Sequence, residues 1–255
     1  MDTSRRKFLT YAGVSVLGLA AMPAVDAWAS DTPYVVSSKQ LKATRWAMVV
    51  DTTKLNSEAD FAPLIEACHS IHNVPDIPTK QNIKWIWYDE RERVFPDDEN
   101  PYMAEAFEHK NYLLLCNHCF EPPCVRVCPT KATFKREDGI VMMDFHRCIG
   151  CRYCMAGCPY GARSFNFMDP RLHLDAAKEN KEFPTRTKGV VEKCNFCYER
   201  LADGKLPACV EASKGALIFG DLDDPKSEVR KVLKERYSIR RKPSIGTQPN
   251  VYYLI

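Results

Sequence analysis

The 255-residue chain has no surplus of either charge: 36 Lys and Arg stand against 33 Asp and Glu. A formal charge of +3 provides no wide basic field for a nucleic-acid backbone, so nucleic acid is not an expected partner. Beyond residue 25 no apolar run approaches the ~18 residues of a spanning helix, which excludes a polytopic membrane architecture. Neither a Rossmann fingerprint nor a phosphate-binding loop is present. With 45% hydrophobic, 27% charged and 11% aromatic residues, the chain is also neither disordered nor collagen-like. What it does have is cysteine. Eleven of its twelve cysteines fall between Cys116 and Cys209, a density above ordinary usage and below that of a small disulfide scaffold.

Residues 1–29 read as an address. Ser4-Arg5-Arg6-Lys7-Phe8-Leu9 precedes a weakly apolar run, then Pro23 and the small-residue end Ala27-Trp28-Ala29. A basic start, a short apolar stretch and an A-x-A end make an export signal cleaved after Ala29, and the twin arginine resembles a Tat signal. Thr10, Ser15 and two glycines make residues 8–25 a poor spanning helix, although retention as an anchor is the competing reading. The expected location is therefore the periplasm or the outer face of the cytoplasmic membrane.

The remainder reads as α+β, with short strands, small helices and long cysteine-bearing loops. Strands are expected at 43–50, 83–88, 112–115, 164–167 and 217–219, and helices at 61–72 and 101–109. A hairpin is expected over 132–135 and 140–143, with Asp138-Gly139 in its turn. Asp224-Pro225 predicts a helix to about residue 237, with Asp224 as its cap. Its lysines and arginines interleave with glutamates, as on a solvated face.

An internal repeat carries the chemistry. Cys116-x2-Cys119-x4-Cys124-x3-Cys128-Pro129 is followed by Cys148-x2-Cys151-x2-Cys154-x3-Cys158-Pro159. The second is the run of bacterial ferredoxins and the first is the same run with two residues inserted. Closely spaced cysteines on a tight loop direct several thiolates to one iron–sulfur core, and the fourth ligates the other cluster. One cluster is thus expected on Cys116, Cys119, Cys124 and Cys158, and a second on Cys148, Cys151, Cys154 and Cys128. Structural zinc uses cysteine pairs separated by a longer loop, and a disulfide framework would leave the tandem spacing a coincidence. A third group, Cys194-x2-Cys197 with Cys209, has Ser213 where the pattern calls for a fourth cysteine.

These motifs, with Arg45-Trp46-Ala47-Met48-Val49-Val50-Asp51, Pro207-Ala208-Cys209-Val210-Glu211-Ala212 and Asn250-Val251-Tyr252-Tyr253-Leu254, resemble the electron-transfer subunits of membrane-bound molybdopterin oxidoreductases, polysulfide and nitrite reductases and periplasmic hydrogenases. Within that family the run from Cys116 to Arg171 is most similar to DsrO-type subunits, the exported iron–sulfur subunits of a sulfite-reduction-associated complex. Members carry four cysteine motifs and four clusters, the first motif paired with the fourth and the second with the third. This chain departs twice: its first motif keeps only Cys68, and its fourth lacks the last cysteine. The resemblance therefore implies a third cluster on Cys194, Cys197, Cys209 and Cys68. In the competing view Cys68 is a small buried helix residue and the other three hold a three-iron centre.

The domain plan that follows is an export signal (1–29), the N-terminal half of an outer cluster domain with Cys68 (30–110), a tandem ferredoxin-like domain with two [4Fe-4S] clusters (111–170) and the C-terminal half of the outer domain (171–255). The resemblance implies electron transfer with no catalytic residues. The expected partners are an integral-membrane quinone-interacting subunit and a periplasmic multihaem cytochrome c, in sulfur metabolism. The equivalent subunit of a hydrogenase or molybdopterin oxidoreductase is the alternative. His118, His69 and His146 read as loop, second-sphere or surface groups, and Trp46, Trp85 and Trp87 as core.

Overall fold

Residues 46–51 are apolar up to Asp51 and all six are buried, as in a strand covered on both faces. This strand, β1 (Trp46–Asp51), opens the fold in a computed structural model that describes residues 37–97, 102–104, 107 and 109–255. The chain divides into two units, Met1–Ser38 and Lys39–Ile255, and the elements described belong to the second. The export signal lies outside the described residues, and so do residues 101, 105, 106 and 108 of the helix expected at 101–109, whose described residues 102–104 are not helical.

After β1 come α1 (Glu58–Ile71), β2 (Ile86–Glu90), α2 (Arg91–Val94) and β3 (Asn111–Leu115). The cysteine-rich middle holds α3 (Pro123–Arg126), β4 (Thr133–Lys135), β5 (Val141–Met143), α4 (Tyr153–Ala156) and β6 (Ser164–Phe165). The last part holds β7 (Val191–Glu192), α5 (Tyr198–Ala202), α6 (Ala208–Ala212), β8 (Leu217–Asp221), α7 (Glu228–Glu235), β9 (Ser238–Ile239) and β10 (Val251–Leu254). The architecture is α+β.

The largest sheet has the order β8-β1-β10-β9 and joins the two ends of the unit. β1 runs parallel to β10 with Met48 opposite Val251, and antiparallel to β8 with Trp46 opposite Asp221. On one face Trp46, Met48 and Val50 enter the main core, where Trp46 stacks on Phe219 at 4.8 Å. On the other, Ala47 and Val49 meet Leu222, Val229 and Leu254 in a smaller core beneath α7. Three two-stranded ribbons complete the unit: β2-β3, β4-β5 and β6-β7. Gly139 turns β4 into β5 at φ 83°, the left-handed conformation that an Asp-Gly hairpin requires. The strand expected at 164–167 stops at Phe165 and pairs with β7, which short-range pattern did not reveal.

Two helix starts differ from the sequence reading. Helix α1 begins three residues earlier than expected, because the Asp60 carboxylate accepts the Ser57 backbone N–H at 2.9 Å and caps the first turn. Helix α7 begins at Glu228, not at Pro225. Asp224 makes a local turn to the Lys226 N–H at 2.9 Å, and Ser227 Oγ accepts the Arg230 N–H as the true cap. Among the described residues, no helix is long and apolar enough to cross a membrane.

Candidate metal centres

The opening Cys-x2-Cys loops of the three cysteine groups share one backbone device. The residue before the second cysteine is left-handed in each: His118 at φ 40°, Gly150 at φ 71° and Phe196 at φ 56°. Such a turn brings both thiols to the same side of the loop. Glycine adopts it freely, and a Cβ at Gly150 would also sit 2.4 Å from the Gly189 carbonyl oxygen. For His118 and Phe196 the conformation costs about 1–2 kcal/mol each. Their rings stack on one another at 3.7 Å and 18°, back to back between the first and third loops. The first loop is pinned from the far end of the chain: Asn250 donates its backbone N–H to the Asn117 carbonyl at 2.9 Å and its side-chain amide to the His118 carbonyl at 2.7 Å.

Cys116, Cys119, Cys124 and Cys158 line one small cavity with Asn117, Tyr160 and Arg163. The cysteine of the second motif thus joins three of the first. Burial and the neighbouring sulfur of Cys116 push the Cys119 and Cys158 thiols up. Both amide atoms of Asn117 are buried without a hydrogen-bond partner. The orphaned Nδ2 donor in a cysteine-lined cavity fits a group that offers acceptor atoms there.

Cys148 and Cys154 pack in an apolar cluster with Cys124, Val125, Val141 and Met155, while Cys151 is exposed. Cys154 and Cys124 ride on the single-turn helices α4 and α3, and the packing between them is close: a Cβ on Gly157 would lie 3.2 Å from Val127 Cγ2. Cys128 differs from the other shifted thiols. Burial alone would raise it, but the backbone N–H groups of Thr133, Thr130 and Ala132 and the Thr130 hydroxyl outweigh that and hold it low. Its sulfur accepts the Thr133 N–H at 3.4 Å, a loop made to carry a thiolate.

Cys68 faces the third loop. Burial, then the sulfurs of Cys197, Cys194 and Cys209, push its thiol far up, so helix α1 brings it to the same place as those three. Burial raises Cys209 to about 12. Alongside lies a histidine that sequence pattern did not single out. His72 Nε2 is 2.6 Å from Glu199 Oε1, its Nδ1 is 2.9 Å from the Cys68 carbonyl oxygen, and its ring stacks on Trp85 at 4.5 Å. Behind it, Glu192 receives Arg186 Nε at 2.8 Å, Trp85 Nε1 at 2.7 Å and Asn166 Nδ2 at 2.6 Å, with both charges of the Arg186–Glu192 pair fully buried. His118 is wholly buried, where burial and the cations of Lys193 and Arg163 hold it well below its ordinary value. His146 is exposed, Trp46 and Trp85 are core, and Trp87 is half-buried.

All twelve cysteines are free thiols. A tetrahedral zinc with sulfurs at ~2.3 Å would draw its ligands to within ~3.8 Å of each other. Among the described residues, the one group whose ligand atoms all lie within 4.8 Å is His72, Cys197 and Glu199, so no cysteine quartet is pinched around a single ion. The four cysteines that line the Cys116 cavity without closing to single-ion distance suit a polynuclear core.

Residues 110–171 match the model of a family described as a 4Fe-4S dicluster domain. The whole chain is similar to known proteins. It is 42% identical to the Hdr-like menaquinol oxidoreductase iron–sulfur subunit 1 of Archaeoglobus fulgidus, over 98% of this chain and 97% of that protein. It is 35% identical to the iron–sulfur cluster-binding subunit of menaquinone reductase of Nitratidesulfovibrio vulgaris, over 86% and 91%. It is also 35% identical to a subunit of the tetrathionate reductase of Salmonella typhimurium, over 100% and 89%. The cysteine loops and the dicluster match define a [4Fe-4S] protein. The chain belongs to the family of iron–sulfur electron-transfer subunits of oxidoreductase complexes, and is not itself the catalytic member of one.

Proposed function

We propose that the chain is a relay of three [4Fe-4S] clusters, passing electrons between a quinone-interacting membrane subunit and a redox partner on the outer face of the membrane. The ligand sets are Cys116, Cys119, Cys124 and Cys158; Cys148, Cys151, Cys154 and Cys128; and Cys194, Cys197, Cys209 and Cys68. When bound, each cluster supplies an electron carrier whose potential follows from burial and from hydrogen bonds to sulfur. The chain's own residues space the carriers. Cys194 neighbours Cys116, and Cys124 neighbours Cys154, so the sites form a row with the Cys116 set in the middle. One end of the row is deeply buried at Cys68, and the other reaches solvent at Cys151.

The observation that carries the third cluster is the position of Cys68, the one cysteine outside the clustered region, beside Cys194, Cys197 and Cys209. Iron in the anaerobically purified protein should approach twelve per chain, and Cys68→Ser should convert or abolish one centre of the three. Sixteen irons, or a Cys68 variant with every centre unchanged, would overturn the assignment. The full-length likeness to quinol and quinone oxidoreductase subunits supports the membrane partner. The DsrO-type resemblance supports a periplasmic multihaem cytochrome as neighbour and a setting in sulfur metabolism, and the twin arginine Arg5-Arg6 supports export by the Tat route. A second reading, the same relay serving a catalytic reductase, draws on the likeness to the tetrathionate reductase subunit. Isolation of the native complex separates them: a cytochrome among its subunits supports the first, a large molybdopterin subunit the second.

A further inference from the structure

Arg163 stands five residues beyond Cys158 and is 5% exposed. One guanidinium nitrogen donates to Cys124 Sγ at 3.1 Å, and the other terminal nitrogen donates to Thr133 Oγ1 at 3.0 Å. Thr133 in turn gives its backbone N–H to Cys128 Sγ. The side chain therefore lies in the gap between the Cys116 and Cys148 sites, touching a sulfur of the first directly and a sulfur of the second through one threonine. A buried charge is costly unless a counter-charge meets it. Arg186, equally buried, has Glu192 at 2.7 Å. Arg241 has no carboxylate partner among the described residues but gives its donors to the carbonyls of Val94 and Tyr160. Arg163 has no carboxylate within ion-pairing distance among the described residues and points at sulfur instead.

We propose that Arg163 is the shared internal counter-ion of the two central clusters, a positioning residue that raises both of their reduction potentials and links their stabilities. The inference rests on the crossed ligand sets of the proposed relay. A cluster held by four thiolates carries net negative charge, and reduction adds more, so a fixed cation in the gap favours the reduced state of both. An arginine guanidinium keeps its proton in proteins, so the cation persists in this buried gap. A unit charge within ~12 Å, at an effective dielectric of ~20, changes a reduction equilibrium about tenfold or more. For one electron that is ~59 mV.

The test is an EPR-monitored potentiometric titration of the anaerobically purified holoprotein, with Arg163→Gln and Arg163→Lys beside the wild type. The third cluster's signal is identified from the Cys68→Ser variant. The glutamine variant should lower the midpoints of both central clusters by about tenfold in equilibrium, leave the third nearer the wild type, and be rescued by lysine. Unmoved central potentials, a shift shared by lysine, or an equal shift in all three clusters would overturn the proposal. Should the glutamine variant purify without its central clusters, full iron in the lysine variant supports the charge role and loss in both refutes it. Failure of the ligand assignment shows separately, in the iron content and EPR of the wild type.

Discussion

Glu192→Gln isolates the network that braces the third cysteine site. The Glu192 carboxylate receives three donors, Arg186 Nε at 2.8 Å, Trp85 Nε1 at 2.7 Å and Asn166 Nδ2 at 2.6 Å, and an Arg186 terminal nitrogen lies in ion-pair contact at 2.7 Å. An amide offers one oxygen in place of two; with that oxygen kept toward Arg186 and Trp85, its NH2 faces Asn166 Nδ2, donor against donor. The guanidinium of Arg186 is left fully buried with no counter-charge, and breaking such a pair costs about 3–5 kcal/mol. In a unit of this size that lowers the melting temperature by ~6–20 °C. The damage should start at one place. Arg186 also donates to the carbonyls of His72 and Asn73, which close helix α1 immediately after Cys68. Anaerobic thermal unfolding followed by circular dichroism, with iron analysis, reads both effects: a large drop in melting temperature and early loss of the third site's iron. A companion variant, Arg186→Met with Glu192→Leu, removes both charges and should cost less than Glu192→Gln alone. A melting temperature within ~2 °C of the wild type, with full iron, would refute the reasoning, because it would mean that the charge is met elsewhere.

Cys128→Ala should damage the Cys148 centre, to which the proposed crossing assigns it, and spare the Cys116 centre; EPR showing the opposite would refute the crossed sets. Asp51 is held below its ordinary value of 3.8: burial works to raise it, but the Arg236 guanidinium at 2.6 Å and the Thr53 side chain and N–H outweigh that. Its contribution is therefore complete above pH 3.8 and disappears as pH falls through the lower folded value. Asp51→Asn should cost about 1.5–3 kcal/mol at neutral pH, with the gap to the wild type closing only in strong acid, as unfolding curves across pH will show. Replacing Arg5 and Arg6 by lysine keeps the charge and should leave folded, cluster-loaded protein in the cytoplasm; unchanged export in cell fractionation would make residues 1–29 a general signal or an anchor.

Much of this protein is legible in its sequence, for a local reason. The cysteine runs are short-range patterns: a thiol three residues from another on a tight loop serves one core wherever the loop sits, so the iron–sulfur class follows from spacing, and the proposed central quartets are drawn from the same spacing. The hairpin turn at Asp138-Gly139 and the strand expected at 43–50 and found at 46–51 are legible for the same reason, since backbone propensity and apolar runs act over a few residues. Helix starts are less so. Ser227 and Asp224 both offer caps, and only packing of Val229 under the sheet selects the later one.

Long-range encounters belong to the tertiary structure alone. The sequence raises Cys68 through resemblance, but its meeting with Cys194, Cys197 and Cys209 depends on how α1 packs against the C-terminal loops. The pairing of β6 with β7 and the stack of His118 on Phe196 join residues far apart in the chain. The pinning of the first cysteine loop spans 132 positions, from His118 to Asn250, well beyond the reach of any local pattern. Nothing in the sequence distinguishes Arg163 from any other arginine near a cysteine. Its role is decided by burial, by the absence of a neighbouring carboxylate among the described residues, and by a sulfur at 3.1 Å, and each of these is a property of the folded chain.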